Sequence, residues 1–186
     1  MGDEKEDSWQ LLPIREDEAS PEAVEVTEED AGSLPLEFVR EPQEDYTAEE
    51  REKLGRKILA MGAPEKFRLA VLGNREARNL LIHDPNKIIS VAVLRNQKLN
   101  ETEVLQYVQR KNLSQEIILG IAKDQKWRKS YPVRFALASN PKTPVSISLN
   151  FLPHLLEKDL KVLSRGKDVP PAVSRTAESL LKKKGK

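Results

Sequence analysis

The chain has 186 residues, enough for one domain of ordinary size and a tail. Charged residues make up 33% and aromatics 5%, a balance that suits a polar-surfaced helical protein better than a β-sandwich. Cysteine is absent, which excludes a disulfide framework, a thiolate nucleophile and a sulfur-ligated metal.

The formal net charge of +1 is a cancellation between two unlike parts. Residues 1–50 carry 18 acidic and 3 basic side chains, a net of −15. Residues 51–186 carry 12 acidic and 28 basic, a net of +16. The acidic start, Met1 to Asp7, leads into no apolar stretch and is not a secretory signal. No run of about 18 apolar residues exists to cross a bilayer. A cytoplasmic protein is the plain expectation.

Residues 1–46 read as a disordered acidic tail, because their like charges and scattered prolines leave too little apolar mass to offset ordering entropy. Two apolar islands interrupt the acid, Trp9-Gln10-Leu11-Leu12-Pro13-Ile14 and Leu34-Pro35-Leu36-Glu37-Phe38-Val39. Each is either a docking peptide that orders on a partner or a remnant of no consequence.

A repeat domain is expected over residues 47–183, with residues 184–186 as a basic end. Thr47-Ala48-Glu49-Glu50 is a capping box that opens a helix carrying Leu54, Ile58 and Met61 on one stripe and stopping at Gly62. A second helix starts at Pro64 and buries Phe67, Leu69, Ala70 and Leu72 before Gly73. A short third segment spans Arg75 to His83.

From there a period of 28 residues runs through Asp84, Asn112, Asn140 and Asp168. Five residues after each stand Ile89, Ile117, Val145 and Val173, and nine after stand Val93, Ile121, Leu149 and Ala177. The small residues Ala92, Gly120, Ser148 and Thr176 lie between them, as close helix packing requires. A second helix in each unit is marked by Val104, Tyr107 and Val108, then Val133, Phe135 and Ala136, then Leu160, Val162 and Leu163. The recurring Asx residues are read as N-caps, each worth roughly 1 kcal/mol, with Pro85 and Pro141 at the next position. Asn112 with Gln115, and Asn100 with Glu103, have capping-box spacing. Tandem helical pairs predict an all-α fold, a right-handed α-α superhelix or solenoid, whose usual product is an extended binding surface.

The block from Gly73 to Asn86 (GNREARNLLIHDPN) resembles one shared by a family of largely uncharacterised bacterial helical-repeat proteins, HEAT-like or variant leucine-rich-repeat-like. Val133-Arg134-Phe135-Ala136-Leu137 and Asn140-Pro141-Lys142-Thr143-Pro144 are similar to later parts of the same family. The resemblance covers roughly residues 50–183. It implies an α-superhelix and imports no activity and no cofactor.

No phosphate loop, zinc-protease helix or nucleophile elbow occurs in the sequence. His83 and His154 lie in different units, and His83 reads as a helix-end residue favoured by the local dipole. No catalytic residue, metal site or cofactor is therefore expected. The candidate binding residues fall in two places. Lys126, Trp127, Arg128, Lys129 and Tyr131, with Arg134 beyond, crowd one inter-helix segment where cations suit phosphates or carboxylates and aromatics suit stacking. Equally, Trp127 and Tyr131 plug the loop there. Arg75 and Arg78 share one face of the third segment, either as an anion fork or as ties between repeats.

The leading expectation is a non-enzymatic scaffold that binds a protein or acidic peptide through a basic groove, gated by its own tail. The alternative is nucleic-acid binding by the same groove.

Overall fold

The computed structural model describes residues 34–42, 46–110 and 112–184. Among them are twelve α-helices, two 3-10 turns and no strand. The helices are α1 (Leu36–Val39), α2 (Ala48–Ala60), α3 (Ala63–Leu72), α4 (Arg75–Leu81), α5 (Lys87–Ala92), α6 (Glu101–Gln109), α7 (Gln115–Lys123), α8 (Gln125–Lys129), α9 (Tyr131–Ser139), α10 (Val145–Phe151), α11 (Glu157–Arg165) and α12 (Pro171–Lys184). The 3-10 turns, Val93–Arg95 and Leu152–His154, follow α5 and α10. None of the helices is long and apolar enough to cross a membrane.

Neighbours in sequence pack as neighbours in space. α3 lies on α4 and α5, α5 on α7, α6 on α9, α9 on α10, and α12 on both α10 and α11. One hydrophobic core threads through these contacts, from Phe38 and Leu54 past Tyr107, Ile121 and Leu137 to Val173 and Ala177. The expected stripes of α2 and α3 face this core, with Leu54, Ile58, Leu69 and Ala70 buried. The Thr47–Glu50 and Asn100–Glu103 capping boxes are both formed.

The 28-residue period survives as a spacing of helix starts. α5 begins at Lys87 and α7 at Gln115, 28 residues on; α12 begins at Pro171, two further periods along. The third unit departs from it. Two prolines bracket Pro141-Lys142-Thr143-Pro144, so α10 starts only at Val145, leaving Val145 39% exposed while Ser148, Phe151 and Leu152 take the buried positions. Val162, also expected inside, is exposed.

The recurring Asx residues act otherwise than as N-caps. Asp84 accepts from the backbone N–H of Asn86 at 2.8 Å, and Asn86 caps α5. Asn140, five residues before α10 begins, accepts from the N–H of Lys142 at 2.8 Å. Ser114, not Asn112, caps α7. These are Asx-turns, in which a short side-chain oxygen closes a loop on an N–H two residues ahead. Pro141 consequently sits in the turn, not at the start of a helix.

The largest difference lies at the N-terminal boundary. Residues 34–42, assigned by composition to the tail, form α1 and pack on the body: Leu34 and Phe38 are buried, and α1 contacts α3. Counting charges over a window missed this, because two apolar side chains suffice when the body supplies the remaining contacts. The first island, Trp9 to Ile14, lies outside the described residues, as do residues 1–33 as a whole and the terminal Gly185 and Lys186.

Candidate partner-binding surface

Arg75 and Arg78 begin on a turn whose geometry depends on Gly73. A Cβ at Gly73 would lie 2.4 Å from the Leu69 carbonyl oxygen and 2.9 Å from the Ala77 Cβ, so only glycine lets α3 and α4 meet this closely. Asn74 then caps α4 through Ala77 N–H at 3.0 Å. One turn later, Arg78 points inward and is buried. Its Nε and Nη2 donate to the two Glu103 carboxylate oxygens at 3.0 and 2.9 Å. Its Nη1 donates to the Gly73 carbonyl at 2.9 Å and to Glu41 at 3.0 Å. Four of the five guanidinium N–H groups are thus committed within the chain, and the bidentate pair with Glu103 joins α4 to α6. Arg78 therefore ties elements together and offers no anion fork to solvent. Arg75 is half-buried, and its backbone N–H donates to Glu41 at 3.0 Å.

Beside this pair lies Tyr107, fully buried, with the Arg110 guanidinium 5.9 Å from its ring centre. Burial, and after it the Glu103 carboxylate, pushes the phenol well above its ordinary pKa, so it stays a neutral hydroxyl. That hydroxyl has no hydrogen-bond partner. Replacing Tyr107 with Phe is accordingly expected to leave stability unchanged or to raise it by up to about 1 kcal/mol in urea unfolding. A loss beyond that margin would mean the hydroxyl is satisfied. Arg110 Nη1 also stands 3.2 Å from His83 Nε2. Desolvation of the ring, then the guanidinium charge, lowers the His83 pKa, the reverse of the dipole effect expected there.

The second group occupies α8 and the start of α9, where the sequence suggested a loop. Asp124 caps α8 by accepting from Lys126 N–H at 2.7 Å, and Ser130 caps α9. Trp127 is 4% exposed and belongs to the core. Lys126 lies over its ring, with Nζ 4.1 Å from the ring centre, and donates to the Leu99 carbonyl at 3.3 Å. Tyr131 hydrogen-bonds Asp159 through its hydroxyl and accepts from Leu156 N–H at 3.0 Å, with Arg134 5.8 Å from its ring centre. Trp127 thus plugs the packing between helices, while Tyr131 packs partly against the core and is anchored through its hydroxyl.

What remains outward is cationic. Lys123 and Lys129 are exposed and Arg128 is half-exposed; among the described residues none of the three has an ion-pair partner. No acid occurs from Gln125 to Leu156. By contrast Lys57, Lys66, Arg78, Lys87 and Lys182 are each paired with a carboxylate. Lys123 joins this group because α7 ends there and leaves it exposed.

A recurring clamp also went unread in the sequence. In Asn96-Gln97-Lys98, Asp124-Gln125-Lys126 and Asn140-Pro141-Lys142 the Asx oxygen accepts from the lysine N–H, at 2.9, 2.7 and 2.8 Å. Each lysine ammonium then reaches a carbonyl of an earlier segment: Val39, Leu99 and Leu113 at 2.8, 3.3 and 2.7 Å. Asn96 and Asn140 are buried, and their amide groups donate to carbonyls ending α3 and α6. The signal was an Asx-x-Lys triplet; its Asn amides take carbonyls at the ends of α3 and α6, and its lysines take the Val39 carbonyl at the end of α1 and the Leu99 and Leu113 carbonyls just before α6 and α7.

No three His, Asp or Glu side chains converge on a metal site among the described residues. No protein-family model, no curated protein and no solved structure matches this chain.

Proposed function

We propose that this chain is a non-enzymatic, HEAT-like helical-repeat scaffold, a right-handed α-α superhelix, that binds an acidic protein segment through the cationic surface formed by the end of α7 and by α8. The observation that carries this is that Lys123, Arg128 and Lys129 lie within seven residues of one another, outward and unpaired, beside a stretch from Gln125 to Leu156 that holds no acid. The order of helix packing along the chain supports the superhelix. Residues 1–33, with 12 acidic and 2 basic side chains, are a competitor of matching charge on the same chain. Nucleic acid is the weaker reading, because the stacking groups it would use, Trp127 and Tyr131, are committed to packing.

Fluorescence anisotropy with a labelled oligoglutamate tests the proposal. Reversing Lys123, Arg128 and Lys129 to Glu should weaken binding at low salt by about tenfold or more. Removing residues 1–33 should strengthen it, and physiological salt, with a Debye length of about 8 Å, should shrink both effects. Equal affinity of the reversed and parent proteins would eliminate the α8 face. A mobility shift of duplex DNA that exceeds the peptide affinity, with the steep salt slope of counterion release, would favour nucleic acid instead.

A further inference from the structure

Residues 34–42 are held in the manner of a bound peptide. Four consecutive carbonyls of the segment accept from outside it. The Glu37 carbonyl accepts from Asn74 Nδ2 at 2.8 Å and Tyr46 Oη at 3.2 Å, and the Phe38 carbonyl from Asn74 N–H at 2.6 Å. The Val39 carbonyl accepts from Lys98 Nζ at 2.8 Å and the Arg40 carbonyl from Asn74 Nδ2 at 2.8 Å. Contacts to main chain are blind to side-chain identity, so selectivity falls to what the segment inserts. It inserts Leu34 and, four residues on, Phe38, which is 1% exposed. Glu41 stays 43% exposed, and its carboxylate takes the Arg75 N–H and Arg78 Nη1, both at 3.0 Å. Leu36, between the anchors, faces solvent.

The receiving side has supports that do not come from the segment. Asn74 is fixed by its cap to α4, and Arg78 by Glu103 and the Gly73 carbonyl. The segment itself is a helix of 4 residues, too short to persist alone. A preorganised receptor and a ligand shaped only by docking open locally more readily than the whole fold unfolds.

We infer that the groove formed by α3, the Asn74 turn and Arg78 is an exchangeable peptide site. Its resident occupant is the chain's own Leu34–Glu41. Its second ligand is a partner segment with the same anchors, Leu and Phe four apart and a carboxylate three residues after the Phe. This rests on the reading of an acidic protein partner and adds a second place, apart from the α8 surface, with the anchors by which a segment of that partner is recognised.

The test uses the full chain and a labelled peptide of sequence LPLEFVREP. Phe38→Ala should vacate the groove and bind the peptide about tenfold or more tightly than the parent, whose tethered segment competes at high effective concentration. A peptide with Ala in place of Phe should not bind. No gain in a Phe38→Ala protein of undiminished helical circular dichroism would overturn the inference. Hydrogen exchange on the parent chain decides the case in which that variant unfolds. The Phe38, Arg40 and Asn74 amides should then exchange through a urea-insensitive opening, well before those of α6. Exchange of all of them together, with one urea dependence, would make α1 an integral element and refute exchange. Peptide capture should persist after Lys123, Arg128 and Lys129 are reversed to Glu, so a failure of the α8 face and a failure of this groove are separately visible.

Discussion

Replacing Arg78 with Ala is expected to cost about 3–5 kcal/mol of unfolding free energy, because it leaves the Glu103 carboxylate buried without its countercharge. The two side chains are each 2% exposed, so solvent cannot substitute for the lost partner. Glu103 also accepts from Asn100 N–H at the start of α6, and an uncompensated charge there strains that cap as well. The companion measurement is the double variant Arg78→Met with Glu103→Leu. Removing both charges removes the desolvation cost along with the attraction, so most of the loss should return, to within about 1–2 kcal/mol of the parent. The Gly73 carbonyl keeps a donor in that variant, since Asn96 Nδ2 lies 3.0 Å from it. Urea unfolding followed by circular dichroism reads both. A single-variant loss below about 1 kcal/mol would place Arg78 among exposed ion pairs and contradict its burial.

Truncating Trp127 to Ala should be of similar size, about 3–5 kcal/mol, and for a different reason. Trp127 fills the space where α8 meets its neighbours, and its removal leaves a cavity that the backbone closes only in part. The Lys126 ammonium over the ring loses its cation–π partner too, a smaller loss on a lysine that is otherwise exposed. Trp127→Phe should recover much of the apolar contact. If Trp127→Ala instead leaves stability intact and abolishes partner binding, the indole is a contact residue and not a packing one.

These two residues show how alike two roles look in a sequence. Arg75 and Arg78, three apart on one helix, read equally well as an anion fork or as ties between repeats. The choice belongs to Glu103, 25 positions beyond Arg78, which no local pattern links to it. Trp127 among four cations suggested a stacking platform as readily as a plug, until α8 was seen to turn it into the core.

Part of the local physics was legible. The capping boxes at Thr47 and Asn100, the stops at Gly62 and Gly73, and the apolar stripes of α2 and α3 depend on residues within a turn of one another. So does the 28-residue spacing of helix starts, and the charge division needs only counting. The chain by itself thus determined that it is helical, where the first long helices begin and end, and that it is electrically divided. Tertiary structure decided what each polar group is for: Asx residues closing turns, lysines sealing distant carbonyls, Arg78 buried against Glu103, and Leu34–Glu41 seated on the body it precedes. Backbone hydrogen bonds and caps are settled within a few residues, whereas a charge or an apolar anchor takes its meaning from whichever remote groups share its low-dielectric surroundings.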